Sequence, residues 1–145
     1  MKKPLNKPMV VYTSMVGDLF HVGHLRLLER ASKLGDILIV GVIDDDCVFE
    51  YKNKYPIFTL NERMEIISSL KFVNNVIPQF TRDGSDNIRR LKNVDIVVRG
   101  NDAILIGEKQ TIEDMGGKYV VLERTLSIST TEIIAKIKCR GSKNE

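Results

Sequence analysis

The chain reads as an α/β protein: a Rossmann-like, doubly wound parallel sheet of five strands, with helices on both faces, in a single domain. Three observations carry that reading. Short apolar runs rich in β-branched residues alternate with stretches of helical periodicity along the whole chain, the pattern of parallel strands joined by crossover helices. Several of the runs are continuously apolar rather than alternating, as strands buried on both faces require. At 145 residues the chain holds enough side chains for one domain's core, and no internal repeat, low-complexity tract or linker divides it.

The elements follow in order. Residues 9–15, MVVYTSM, form a first strand, closed by a glycine turn at Gly17. Leu25, Leu28 and Ala31, with Leu27 and Leu34, recur at helical spacing, and Gly35 is placed to cap that helix at its end. Residues 36–43, DILIVGVI, are a buried second strand, and EYKNKYPIF at 50–58 reads as the loop after it. Thr59 opens a helix through the capping box T-L-N-E, with Met64, Ile67 and Leu70 on one face. NNVIPQF (74–80) is a third strand, SDNIRRLK (85–92) a short helix, and VDIVVRG (94–100) a fourth strand. A modest helix leads to Gly116 and Gly117, and KYVVLE (118–123) is the fifth strand. The last helix opens at Ser129 with a second capping box, S-T-T-E, and runs to about Lys138. Residues 1–8 read as an N-terminal extension, 9–140 as the domain and 141–145 as a tail.

Composition narrows the function classes. No apolar run approaches the roughly 20 residues that span a bilayer, and the basic start MKKPLNKPM leads into VVYTSM rather than a signal-peptide core. Cys47 and Cys139 fit no metal-ligand spacing and read as free thiols in a reducing cytoplasm. A net charge of +3, from 22 Lys and Arg against 19 Asp and Glu, is too mild to argue for nucleic acid, but it suits an anionic small ligand.

Parallel sheets of this kind bind ligands at the carboxyl ends of their strands. Three loops in that position carry unusual residues. MVGDLFHVGH holds the chain's two histidines, His21 and His24, around Gly23 at a helix start. They could simply cap that helix; zinc would need three or four protein ligands, and none is spare. Their other use is hydrogen-bond donation to an anion, phosphate above all, where helix N–H groups already favour negative charge. In the second loop Lys52 and Lys54 alternate along an extended segment and so point to one side, as a phosphate grip or a solvated surface pair. In the third, ERTLSISTTE, Arg124 precedes Ser129, Thr130 and Thr131 at the last helix N-terminus, as a plain N-cap or a second phosphate cradle.

The run D-L-F-H-V-G-H-L followed by L-G-D-I-L-I-V-G-V resembles the HxGH nucleotidyltransferase superfamily. Residues 124–131, R-T-L-S-I-S-T-T, resemble the RTxxISTT signature of cytidylyltransferases acting on glycerol 3-phosphate, phosphoethanolamine and phosphocholine. Y-K-N-K-Y-P-I-F-T-L-N-E-R resembles their lysine loop and the helix after it, and V-R-G-N-D (98–102) the loop after their fourth strand. The resemblance spans about residues 9–138, with the motifs in family order.

That resemblance implies a CTP site formed by Val16, Gly17, Asp18, His21, Val22, Gly23, His24, Lys54, Gly100, Asp102, Arg124, Thr125, Leu126, Ser127, Ile128, Ser129, Thr130 and Thr131. His21 and His24 would hold the nucleotide phosphates, Lys54 the nucleotide, and Lys52 the acceptor's phosphate, with Arg124 completing the catalytic set. Mg²⁺ would enter bound to the triphosphate rather than to side chains. Two positions depart from the family: Val16 stands where a hydroxyl residue is usual, and Asn74 where an aspartate often follows Phe72-Val73. The implied reaction joins CMP to a small phosphorylated alcohol and releases pyrophosphate. Glycerol 3-phosphate is the favoured acceptor, giving CDP-glycerol for surface polymers, with phosphoethanolamine the alternative. An adenylyltransferase of the same fold and a non-catalytic nucleotide-binding module are the rival readings. The resemblance also implies a homodimer joined near the HxGH helix, where Leu19, Phe20 and Val22 are apolar.

Overall fold

The computed structural model describes Pro4 and residues 6–101, 104–124 and 128–143. Strands and helices alternate as β1 (Val10–Met15), α1 (Val22–Ser32), β2 (Ile37–Ile43), α2 (Asp45–Lys52), α3 (Leu60–Ser68), β3 (Asn75–Gln79), α4 (Ser85–Leu91), β4 (Ile96–Gly100), α5 (Ile106–Asp114), β5 (Lys118–Leu122) and α6 (Thr130–Lys143). The strands form one five-stranded sheet in the order β3-β2-β1-β4-β5, every pairing parallel. The order reverses at β1, so the chain leaves β1 and β4 toward opposite faces and a crevice opens at their carboxyl ends.

Alternate residues of β1 feed two cores. Val11 and Met15 pack with Leu28 and Ala31 of α1 and Ile67 of α3. Val10 and Tyr12 pack on the other face with Ile88 of α4 and Ile112 of α5. Each buried aliphatic side chain of this size stabilises the fold by about 1.5–3 kcal/mol, so the apolar runs fix which strands lie centrally.

The structure departs from the sequence reading in three places. The first helix begins at Val22 and ends at Ser32, with Lys33 as its right-handed C-cap. Gly35 is no cap; a Cβ there would lie 2.7 Å from the Met9 carbonyl oxygen and 2.7 Å from Val11 Cγ2, so glycine is needed for the chain to pass close to β1. The loop expected at 50–58 starts later, because residues 45–52 form α2. Asp44 caps that helix by accepting the Asp46 N–H at 3.2 Å, and Cys47 and Val48 pack on Ile43. The last helix continues past residue 138 to Lys143.

Thr59 does cap α3 through the expected reciprocal box with Glu62. Cys47 is buried, Cys139 exposed, and both are free thiols. Among the described residues no helix is long and apolar enough to cross a membrane.

Candidate active site

The ends of β1 and β4, the lysine segment before α3 and the start of α6 enclose a cleft of about 640 Å³. Its geometry begins in the turn after β1. Gly17 and Leu19 both take left-handed backbone angles, φ 67° and 47°. At Gly17 a Cβ would also sit 2.9 Å from Ile67 Cδ1, so that position excludes a side chain on two counts.

Asp18, between them, is buried. Its Oδ2 accepts the Ile57 N–H at 2.8 Å and its Oδ1 the Phe58 N–H at 2.9 Å. Its carbonyl accepts the Thr130 hydroxyl at 2.9 Å. One residue therefore ties the histidine turn to the lysine segment and to the start of α6. Asp18 lines the cleft, yet its carboxylate is committed to backbone amides.

The two histidines form a capping box made of imidazoles. His21 Nδ1 accepts the Gly23 N–H at 3.0 Å, and His24 Nδ1 accepts the His21 N–H at 3.1 Å. A ring nitrogen that accepts carries no proton, so each ring holds its hydrogen on Nε2, the edge turned away from the helix. The rings lie 3.9 Å apart, and Phe20 stacks on His24 at 5.2 Å. Burial, and then the charge of Arg124, hold the His21 pKa below its usual value. Burial, then His21, push His24 down to about 4, with Lys52 adding to the shift and Asp18 opposing it. Both rings are thus neutral Nε2–H donors at pH 7. Gly23 leaves room for the His21 ring and for Ile128, which a Cβ would meet at 2.8 and 3.2 Å.

Lys52 and Lys54 reach the same cleft by a different route from the extended segment expected. Lys52 ends α2, Asn53 turns the chain at φ 55°, and Lys54 follows the turn. The helix-to-turn reversal, rather than strand alternation, makes them converge. At the other wall, the Arg124 N–H donates to Asn101 Oδ1 at 3.3 Å, and Ser129 Oγ accepts the Glu132 N–H at 3.1 Å.

Of the residues expected at the site, Val16, Gly17, Asp18, His21, Gly23, His24, Lys52, Lys54, Gly100, Arg124, Ile128, Ser129, Thr130 and Thr131 line this cleft. Val22 does not; it is 42% exposed. Asp102, Thr125, Leu126 and Ser127 lie outside the described residues. At the second departure from the family pattern, Asn74 exchanges hydrogen bonds with the Leu38 backbone at 2.8 and 3.0 Å, fixing the start of β3 on β2.

The sequence reading did not single out Arg63, which is fully buried on α3. Its guanidinium donates to the carbonyls of Val16, Ile43 and Phe58 at 2.7, 2.8 and 3.0 Å and pairs with Asp45 at 2.5 Å. It gathers the ends of β1 and β2 and the lysine segment onto one charge. Tyr51, Arg82 and Arg99 also line the cleft. Tyr51 and Arg99 fall inside the family-like runs Y-K-N-K-Y-P-I-F and V-R-G-N-D, and Arg82 inside the loop QFTRDGSDNIRR, but none was singled out, because the contacts that bring them together are tertiary.

A cleft at the switch point of a doubly wound sheet, lined by two helix N-termini and several cations, has the place and the donors with which sheets of this kind hold phosphate-bearing ligands. A family model described as Cytidylyltransferase-like matches residues 17–136, and the chain belongs to that family. It is 32% identical to an ethanolamine-phosphate cytidylyltransferase of Dictyostelium discoideum over 94% of this chain and 39% of that protein. It is 34% identical to the bifunctional protein HldE of Desulfatibacillum aliphaticivorans over 89% of this chain and 27% of that protein. The chain therefore spans well under half the length of these relatives. A crystal structure of a lipopolysaccharide core biosynthesis protein from Thermoplasma volcanium GSS1 superposes with a TM-score of 0.72 at 30% identity, covering 82% of this chain and 99% of that one.

Proposed function

We propose that the chain is a nucleotidyltransferase that moves CMP from CTP to a small phosphorylated alcohol, most specifically glycerol 3-phosphate, releasing pyrophosphate. The observation that carries this reading is the pair of neutral imidazoles, each presenting Nε2–H at the N-terminus of α1, in one cleft with Lys52, Lys54 and Arg124. The family membership and the cytidylyltransferase relatives support the cytidylyl group.

The acceptor needs no general base. A phosphate monoester loses its second proton near pH 6 and is already nucleophilic at pH 7. One of its oxygens attacks the α-phosphorus of CTP, the bond to the bridging oxygen breaks, and pyrophosphate leaves with the electron pair. Two polyanions must be held in line against their repulsion, so positioning and charge stabilisation supply most of the rate. His21 and His24 would donate to the α-phosphate as charge builds on it, Lys54 and Arg124 would hold the triphosphate, and Lys52 would hold the acceptor's phosphate. Because the imidazoles are neutral, their hydrogen bonds strengthen as the phosphoryl oxygens gain charge.

Among the described residues no cluster of three metal-ligating side chains exists, and both oxygens of Asp18 already accept backbone N–H groups. This donor set fits Mg²⁺ that arrives on the triphosphate, where it would offset part of the phosphate charge.

A second reading, adenylyl transfer from ATP to a phosphorylated acceptor in the same cleft, is the rival that the resemblance to the HxGH superfamily as a whole carries. Pyrophosphate release measured with CTP and with ATP, across a panel of phospho-alcohols and sugar phosphates, separates the two. Turnover with CTP and a phospho-alcohol is the expected result; turnover with ATP alone would replace the reading.

A further inference from the structure

We infer that Arg99 is an anion contact on the floor of this cleft, facing a phosphate of a bound substrate, and that Glu108 is the positioning residue that holds it there. The inference rests on the nucleotidyl-transfer reading above, which supplies the phosphates.

Strand register places the two residues. Tyr12 on β1 lies beside Val97 on β4, and both side chains enter the core against α4 and α5. Side chains two residues further along a strand return to the same face. Ser14 and Arg99 therefore follow them toward the carboxyl ends, and both line the cleft. Arg99 is 8% exposed, and Glu108 on α5 is fully buried and does not line the cleft. Glu108 Oε2 accepts from Arg99 Nε at 2.6 Å, and Oε1 from Arg99 Nη2 at 3.0 Å. This fork fixes the plane of the guanidinium. Nη2 also donates to the Arg82 carbonyl at 3.2 Å, whereas Nη1 makes no hydrogen bond among the described residues. Nη1 is not sealed in, because the single buried side-chain N or O atom without a partner among those residues is Ser14 Oγ. Its open side is the cleft. A guanidinium edge and a hydroxyl on the adjoining strand are thus left unpaired at one cleft wall, and phosphate oxygens are acceptors that satisfy both.

The backing of Arg99 is built before any ligand arrives. Glu108 Oε1 also accepts the Gly84 N–H at 3.0 Å, and a Cβ at Gly84 would lie 2.5 Å from that oxygen, so glycine lets the loop close on the carboxylate. Gln79 Nε2 donates to the carbonyls of Thr81 and Arg82 at 2.8 and 3.2 Å, and its Oε1 accepts the Tyr12 hydroxyl at 2.5 Å. Asn87 Nδ2 donates to that same hydroxyl at 3.1 Å. A buried ion pair contributes little net stability, since desolvating two charges offsets their attraction. Stability alone is therefore a weak reason for this pair. A guanidinium held by a hidden carboxylate, in contrast, meets its ligand without first having to be ordered.

The test titrates inorganic pyrophosphate and glycerol 3-phosphate separately, by calorimetry, into wild type, Glu108→Gln and the double variant Arg99→Met/Glu108→Gln. Melting temperatures check folding. The double variant removes the ion pair whole and leaves no unpaired buried charge, and its amide keeps an oxygen for the Gly84 N–H. It should stay folded and bind at least one of the two anions about tenfold more weakly. Weakening with pyrophosphate would put Arg99 on the triphosphate; weakening with glycerol 3-phosphate alone would put it on the acceptor's phosphate. Glu108→Gln gives a signed result. Removing a negative charge near an anion should tighten binding if charge alone mattered, whereas loss of positioning should weaken it, by about threefold or more. Unchanged binding of both anions in the folded double variant would overturn the contact, and unchanged or tighter binding in Glu108→Gln would overturn the positioning role. Binding needs no turnover, so absence of pyrophosphate release from CTP with every acceptor would refute the transfer reading while these titrations still decide the inference.

Discussion

At the scale of single residues, the proposed transfer turns on the neutral state of His21 and His24. Replacing either with Ala should lower kcat by about 10²–10³, the usual cost of one transition-state donor, while CTP binding weakens far less. His21 also caps α1, so Ala there would cost about 1 kcal/mol of stability as well. His21→Asn, which keeps a cap acceptor, should lose the rate and keep the melting temperature; near-normal kcat in any of these variants would remove the catalytic assignment. His24 further ties stability to pH. Its pKa falls from 6.5 unfolded to about 4 folded, so below pH 6.5 the unfolded chain takes up a proton that the folded one refuses. Stability should be fully retained above pH 6.5 and decline as pH falls toward 4, by about 3 kcal/mol from this group. Denaturant titrations of wild type and His24→Gln across that window should show a shallower decline in the variant. Identical slopes would mean that His24 is not held neutral.

At the scale of elements, what could be read in the sequence was what local physics dictates. Continuous apolar runs gave the five strands, and the Thr59 and Ser129 boxes gave two helix starts. The helix α2 escaped because Asp44, Asp45 and Asp46 put three charges in front of a short apolar stripe, and its stability comes from packing Cys47 and Val48 on Ile43. Gly35 misled because a glycine after a helical stretch signals a cap, whereas here it answers to β1 across the sheet. The site was legible where motifs are contiguous, as in the histidine turn. It was not legible at Arg63, Arg82 or Ser14, whose partners lie on other elements. The lysine segment shows the same division, since both residues were foreseen and their geometry was not. Lys52→Ala should chiefly raise KM for the acceptor and Lys54→Ala KM for CTP, because Lys52 sits at the end of α2 beside Tyr51 and Lys54 lies beyond the Asn53 turn. Kinetics unchanged in both, with only a lower melting temperature, would return the segment to a surface role.

At the scale of the whole molecule, the order β3-β2-β1-β4-β5 places the histidine turn of β1 and the Arg99-Gly100 end of β4 on either side of one crevice, and Asp18 and Arg63 bind the surrounding loops into a single wall. Homodimerisation is an expectation carried by family resemblance. Phe20 is turned onto His24 and the core, which leaves Val22 as the more exposed apolar residue of the turn. A symmetric pairing there would bury Val22 against its copy region and stiffen α1. Sedimentation at micromolar concentration should give about twice the chain mass of 16.5 kDa; a fully active species at the single-chain mass would exclude the dimer. The central claim, transfer of the α-phosphoryl nucleotide from CTP to a phosphate monoester, is tested most directly by following CTP labelled at its α-phosphorus. With glycerol 3-phosphate the label should pass into a CDP-alcohol and unlabelled pyrophosphate should form in equal amount, with both products lost in His24→Ala. Label recovered as free CMP, or remaining in CTP while the protein binds it, would contradict the account.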